Sequence, residues 1–143
     1  MNHWLALAVA VVFIWLGMVV AISFLEAPLK FRAPGITIQL GLGIGRLVFR
    51  ALNISEVLLA AVALVAAVLG RAPGAATAAL VIAVAALGVQ VVAVRPALAR
   101  RSDAVLADAK LAASGRSNAH LVYVGFEVVK AVALLVSGVL LLA

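Results

Sequence analysis

The sequence predicts an all-α polytopic membrane protein. It is expected to be a single domain over residues 1–143, an up-and-down bundle of four transmembrane helices with a short cytoplasmic helix between the third and fourth. Three observations carry that expectation. Of the 143 residues, 68% are hydrophobic and the mean hydropathy is +1.33, whereas a soluble domain is apolar over roughly half its residues. Four apolar runs each approach the roughly 20 residues a helix needs to cross a bilayer. Lysine and arginine gather in alternate connections between those runs, the asymmetry that sets membrane topology.

The first span, about 4–25, starts at Trp4, an aromatic suited to the membrane interface, and runs uncharged to Leu25. Glu26-Ala27-Pro28 is expected to end it, because proline biases its predecessor out of the helical region. Met1-Asn2-His3 lacks the basic stretch of a signal peptide and no small-residue cleavage pattern follows, so this span is expected in the mature protein. Phe31 to Arg46 is apolar and glycine-rich, fit to lie in the interface or to dip into the membrane where protein or water satisfies its backbone. Its Gly41-Leu-Gly-Ile-Gly45 lacks the lysine and the serine or threonine of a P-loop and follows no strand. Helix-to-helix contact through a Gly-x-x-x-Gly pair is the commoner meaning.

The second span, about 47–70, carries Arg50, Asn53 and Glu56 before a clean apolar run from Val57 to Gly70. Arg71-Ala72-Pro73-Gly74 reads as a tight turn. The third span, about 75–94, is uncharged and holds one amide, Gln90. Beyond it, Ser102 as N-cap, Asp103 in a first turn and Gly115 after a last turn predict the short cytoplasmic helix. The fourth span occupies about 119–143.

The side holding the first and third connections carries Lys30, Arg32, Arg46, Arg50, Arg95, Arg100, Arg101, Lys110 and Arg116; the other side carries only Arg71. Basic flanks stay in the cytoplasm, so both termini are expected outside it, in a bacterial inner (plasma) membrane. The expected partners are the lipid bilayer and its anionic headgroups at the cytoplasmic face, worth roughly 1 kcal/mol per basic residue near the surface. The basic residues are spread over loops without an aromatic-bearing surface, which speaks against nucleic acid. The small-residue pairs Gly41 with Gly45 and Ala63 with Ala67 suit a homodimer or close packing within one monomer.

Chemistry is expected along the fourth span, where His120, Tyr123, Glu127, Lys130 and Ser137 fall within an arc of about 100°. Lys130 lies roughly 15 Å deeper than His120, and charges at such depth need partners. The second span supplies Arg46, Arg50, Asn53 and Glu56 on one face, the first Ser23, Glu26 and Lys30, and the third Gln90. The candidate pocket is therefore Glu26, Arg50, Asn53, Glu56, Gln90, His120, Tyr123, Glu127 and Lys130. Glu127 or Glu56 would carry a proton or cation, Lys130 the compensating charge or an anion contact, and His120 a proton relay at the mouth. In a purely structural reading, Glu127 and Lys130 pair with each other and with Glu56 and only fix helix register.

No cysteine is present, and His3 and His120 lie at opposite membrane faces, which rules out a bis-histidine haem in a monomer. Lys130 stands where a Glu-x-x-His motif would need histidine, leaving a mixed His120, Glu56 and Glu26 site as the one metal option. Neither Gly-x-Ser-x-Gly nor His-Glu-x-x-His occurs, so no enzyme and no cofactor are expected. Gly17, then Phe24-Leu-Glu-Ala-Pro-Leu-Lys-Phe31, with Pro96 closing the third span and His120 opening the fourth, resembles the layout of uncharacterised four-helix bacterial membrane proteins grouped with copper-resistance membrane domains. The resemblance implies the four-helix bundle and a link to metal handling. Against copper, Met18 is the only methionine beyond the initiator, and soft ligands are otherwise lacking. The function expected is binding or translocation of a proton, ion or small polar ligand in a cytoplasm-facing pocket. The alternative is a non-catalytic interaction or assembly subunit of a larger membrane complex.

Overall fold

A computed structural model describes residues 1–108 and 118–143. It contains four helices long and apolar enough to cross a membrane and, among the described residues, no strand. We number them α1 (His3–Arg32), α2 (Ile38–Gly70), α3 (Gly74–Ala107) and α4 (Asn118–Leu142). Consecutive helices run antiparallel. Asn2 at the start of α1 donates to the Gly70 carbonyl at the end of α2, Arg46 early in α2 pairs with Asp103 late in α3, and Ser137 late in α4 donates to the Ala76 carbonyl early in α3. α1 packs against α2 and α4, α4 packs also against α3, and the α2–α3 seam is the thinnest.

Each helix buries one stripe at helical spacing, with Ala8, Val12, Trp15 and Val19 in α1, and Ala76, Leu80, Ala83 and Leu87 in α3. Alanine dominates that core because lipid is as apolar as leucine; helices in it gain by close approach and van der Waals contact. Large side chains such as Leu58, Val65, Val68 and Leu135 face outward. The four small residues that suited a homodimer are spent inside the chain. Gly41 and Gly45 are buried against the Phe31 ring and the Lys30 side chain, and Ala63 and Ala67 lie in the core, so none of them supports a second copy.

Three boundaries differ from the sequence reading. Pro28 does not end the first helix, which continues to Arg32. The chain widens upstream into a π-helical stretch, Val20–Glu26, whose Ile22 carbonyl accepts the Ala27 N–H five residues on. A proline inside a helix lacks one N–H and collides with the carbonyl four residues back, and the wider turn relieves both. The same device recurs at Pro96: Gln90–Val94 is π-helical, the Gln90 carbonyl accepts from Arg95, and α3 runs on to Ala107. Ser102 and Asp103 therefore lie inside α3, and Ser102 caps nothing. The described part of the expected separate helix, up to Ala107, is the end of the third one, and the remainder of that segment, including Lys110 and Gly115, lies outside the described residues. Finally, the second helix starts at Ile38 instead of about 47. The Thr37 hydroxyl accepts from Leu40 N–H as N-cap, so the stretch expected to be interfacial or re-entrant forms its first turns.

The turn at Arg71 is as expected. Arg71 takes a left-handed conformation (φ 56); its N–H donates to the Val68 carbonyl and that of Ala72 to Ala67, closing α2 before Pro73 opens α3.

Two glycines test the packing. A Cβ on Gly138 would stand 2.7 Å from the Phe13 ring of α1, whereas one on Gly88 meets nothing within 4 Å. Gly138→Val is expected to cost about 1–3 kcal/mol by overpacking. Gly88→Ala should be neutral or stabilising by up to about 1 kcal/mol through helix propensity. Thermal unfolding in detergent micelles separates the two.

Candidate functional site

The α4 stripe turns inward and delivers Lys130 to the centre of the bundle, with no exposed surface. An ammonium has three N–H donors, and each finds an oxygen: Glu56 Oε1 at 2.6 Å, Glu127 Oε1 at 2.6 Å and Gln90 Oε1 at 2.7 Å. The partners come from α2, α4 and α3. α1 joins through the carboxylates. Trp15 Nε1–H of α1 donates to Glu56 Oε1 at 2.9 Å, and Ser23 Oγ–H of α1 donates to Glu127 Oε2 at 2.5 Å. Gln90 completes the network by donating Nε2–H to Glu127 Oε1 at 2.7 Å and to the Tyr123 carbonyl at 3.3 Å.

Both π-helical stretches serve this arrangement, since Ser23 lies in the first and Gln90 in the second. A π turn rotates and shifts the side chains it carries relative to a regular helix, and here both inserted polar groups meet Glu127. The network stands roughly 20 Å, at about 1.5 Å per residue, from the Arg71 end of the helices. Formal charge does not cancel within it: two carboxylates face one ammonium, leaving one negative charge to be neutralised.

The structure brings Glu56, Gln90, Glu127 and Lys130 together as the sequence grouped them. Asn53 and Tyr123 are buried one turn nearer the Lys/Arg-rich end, with Asn53 Nδ2–H donating to the Phe49 carbonyl and the Tyr123 ring set edge-on against Phe49. Glu26 lies further out, its Oε2 3.5 Å from Lys30 Nζ. Arg50 and His120 are exposed, whereas the network is buried. His120 lies in the first turn of α4, whereas Arg50 stands well inside α2 on its outward face. Ser137 binds backbone instead of the network. A mixed Glu26, Glu56 and His120 metal site is not assembled, and among the described residues no group of three His, Asp or Glu side chains can hold a metal ion.

Trp15 escapes the sequence reading, which names Ser23 among the polar groups of the first span but not in the pocket. Trp15 carried a signal, because a tryptophan in mid-span, away from the interface belt, needs a partner for its N–H. Ser23 carried little, because its approach to Glu127 depends on the π turn.

Removing one partner of a buried ion pair costs about 3–5 kcal/mol, whereas replacing a whole network with apolar or neutral groups is often neutral. Lys130→Met is therefore expected to lower unfolding stability by about that amount, because two carboxylates are left facing each other. The triple variant Glu56→Gln, Glu127→Gln, Lys130→Met should recover most of it. Chemical unfolding in micelles, followed by circular dichroism, measures both.

Comparison with family models, with curated proteins and with solved structures finds no match to this chain. The layout resemblance to copper-resistance membrane domains therefore rests on layout alone, and function has to be argued from the geometry of the buried network.

Proposed function

We propose that this chain is an integral membrane protein whose Lys130 network binds or translocates a proton, an ion or a small polar ligand reached from the cytoplasm. The observation that carries the reading is the fully buried Lys130 held by Glu56 and Glu127 midway along their helices. A bundle that needed only stability would be served as well by apolar side chains of similar volume, so a network with one unbalanced carboxylate argues for use. Four apolar helices with outward-facing aliphatic side chains support residence in a bilayer.

Lys30, Arg32, Arg46, Arg50, Arg95, Arg100 and Arg101 collect at the end opposite Arg71. By the retention of basic flanks, that end belongs in the cytoplasm of a bacterial inner membrane, against anionic headgroups, with both termini on the far side. Because the chain has no cysteine of its own, single introduced thiols report sidedness directly. Ser102→Cys should react with a membrane-impermeant reagent only from the cytoplasmic side and Ala72→Cys only from the other, and the reverse pattern would overturn the orientation.

Function itself is tested by Glu127→Gln, which keeps the shape of the side chain and removes the charge that holds Lys130, Gln90 and Ser23. Uptake or binding assayed in proteoliposomes is expected to fall about tenfold or more, equivalent to at least ~1.4 kcal/mol, with folded yield preserved. Unchanged uptake together with loss of co-purifying membrane subunits would instead assign the chain to an assembly role.

A further inference from the structure

We propose that the ligand of this site is a single proton, carried on Glu56 Oε2 and exchanged only with the Lys/Arg-rich end of the bundle through a polar layer of Asn53, Tyr123 and Glu26. The inference rests on the Lys130 network being a binding site and names what it binds.

The two carboxylates are not equivalent. Glu127 is saturated: Oε1 accepts from Lys130 and Gln90, and Oε2 accepts from Ser23. It is the fixed counter-charge of Lys130. Glu56 accepts from Lys130 and Trp15 on Oε1 alone, while its Oε2 is buried with no hydrogen-bond partner among the described residues. The groups that face Glu56 are Lys130, Glu127 and Tyr123 from α4, Trp15 from α1 and, through the shared ammonium, Gln90 from α3. With both carboxylates ionised they leave one negative charge in a water-poor interior, and one proton on Oε2 removes it. A hard metal cation would need several oxygen ligands, whereas Glu56 Oε2 is a single unclaimed oxygen. A proton needs only one.

The route is marked by where unpartnered polar atoms lie. Asn53 precedes Glu56 by three residues, Tyr123 precedes Glu127 by four and Glu26 follows Ser23 by three. Each therefore lies one helical turn from a network residue, all toward the basic end. Asn53 Oδ1, the Tyr123 hydroxyl and Glu26 Oε2 are the buried polar atoms, besides Glu56 Oε2, that lack a hydrogen bond among the described residues. Buried polar groups in folded proteins nearly always have partners; Glu26 Oε2 has its ion pair with Lys30, but Asn53 Oδ1 and the Tyr123 hydroxyl have none among the described residues, so the layer is suited to water. One turn in the other direction stand Val12, Ala60, Leu87 and Leu134, all buried hydrocarbon. Water has polar partners on one side of Glu56 and none on the other. In the exchange, an O–H bond forms to Glu56 Oε2 as one breaks in a hydronium of that layer, which leaves as water.

Trp15 reports the event because its indole N–H is bonded to Glu56, and Trp4→Phe makes it the sole tryptophan. In Trp4→Phe protein in lipid nanodiscs, acid-minus-alkaline infrared difference spectra should show one protonated-carboxyl band, accompanied by a shift of Trp15 emission. Glu56→Gln should lose both, and Asp103→Asn, at an exposed carboxylate outside the layer, should retain both. In proteoliposomes of uniform orientation, a pH jump at the Lys/Arg-rich face should move Trp15 emission quickly and a jump at the Arg71 face should not. Asn53→Leu with Tyr123→Phe should lose the fast response. Persistence of the carboxyl band in Glu56→Gln, or equal responses from the two faces, would overturn the proposal; the second measurement needs no substitution at Glu56. A Trp15 shift driven by sodium or potassium at fixed pH would overturn the proton while leaving an ion site. A titrating Glu56 without any uptake would keep the proton site and remove translocation.

Discussion

Everything in this bundle is arranged around the ammonium of Lys130. Buried in a low-dielectric interior, a charge is held only if its Coulomb partners and hydrogen-bond acceptors sit at contact distance. Three acceptors at 2.6–2.7 Å meet that demand. Because they come from different helices, the requirement of one side chain becomes a requirement on the relative height and rotation of α2, α3 and α4. Trp15 and Ser23 extend it to α1 through the carboxylates. A polar network of this kind specifies register in an alanine-rich core whose small side chains would tolerate several.

The prolines take part in the same arrangement. Pro28 and Pro96 occupy corresponding places in α1 and α3, each preceded by a π-helical stretch that spares the helix a break. One such stretch holds Ser23 and the other Gln90, so the local remedy for a missing N–H also aims a polar group at Glu127. Backbone irregularity is thereby confined to the level of the network, while the half of the bundle toward Arg71 is regular and apolar.

That difference between the halves gives the molecule its direction. Toward Arg71 the helices meet through alanine, valine and leucine, with Ser137 satisfied by backbone. Toward the basic end the interior holds Asn53 and Tyr123, Glu26 and Lys30 are half-buried, and the surface carries Arg46, Arg50 and Arg100. A network sealed on one side and polar on the other suits one-sided exchange, whichever ligand uses it.

By itself the sequence determined the number of long apolar helices, the turn at Arg71 and the grouping of Glu56, Gln90, Glu127 and Lys130. Each follows from local composition or from the 3.6-residue period, which place polar residues on one face without knowledge of any neighbour. The homodimer suggested by Gly41, Gly45, Ala63 and Ala67 was undecidable at that level, since small residues serve either packing; the fold spends all four within the chain. Helix ends at Pro28, at Pro96 and before Leu47 were misplaced because proline and glycine rules are local preferences, overridden here by π turns and by the fit of Gly41 and Gly45 against Phe31 and Lys30. Only the tertiary structure decided that Arg50 and His120 face outward, that Trp15 and Ser23 belong to the network and that Glu56, not Glu127, keeps an unclaimed oxygen. Those facts depend on which helices adjoin and at what height, and no periodicity within a single segment encodes the distance between two of them.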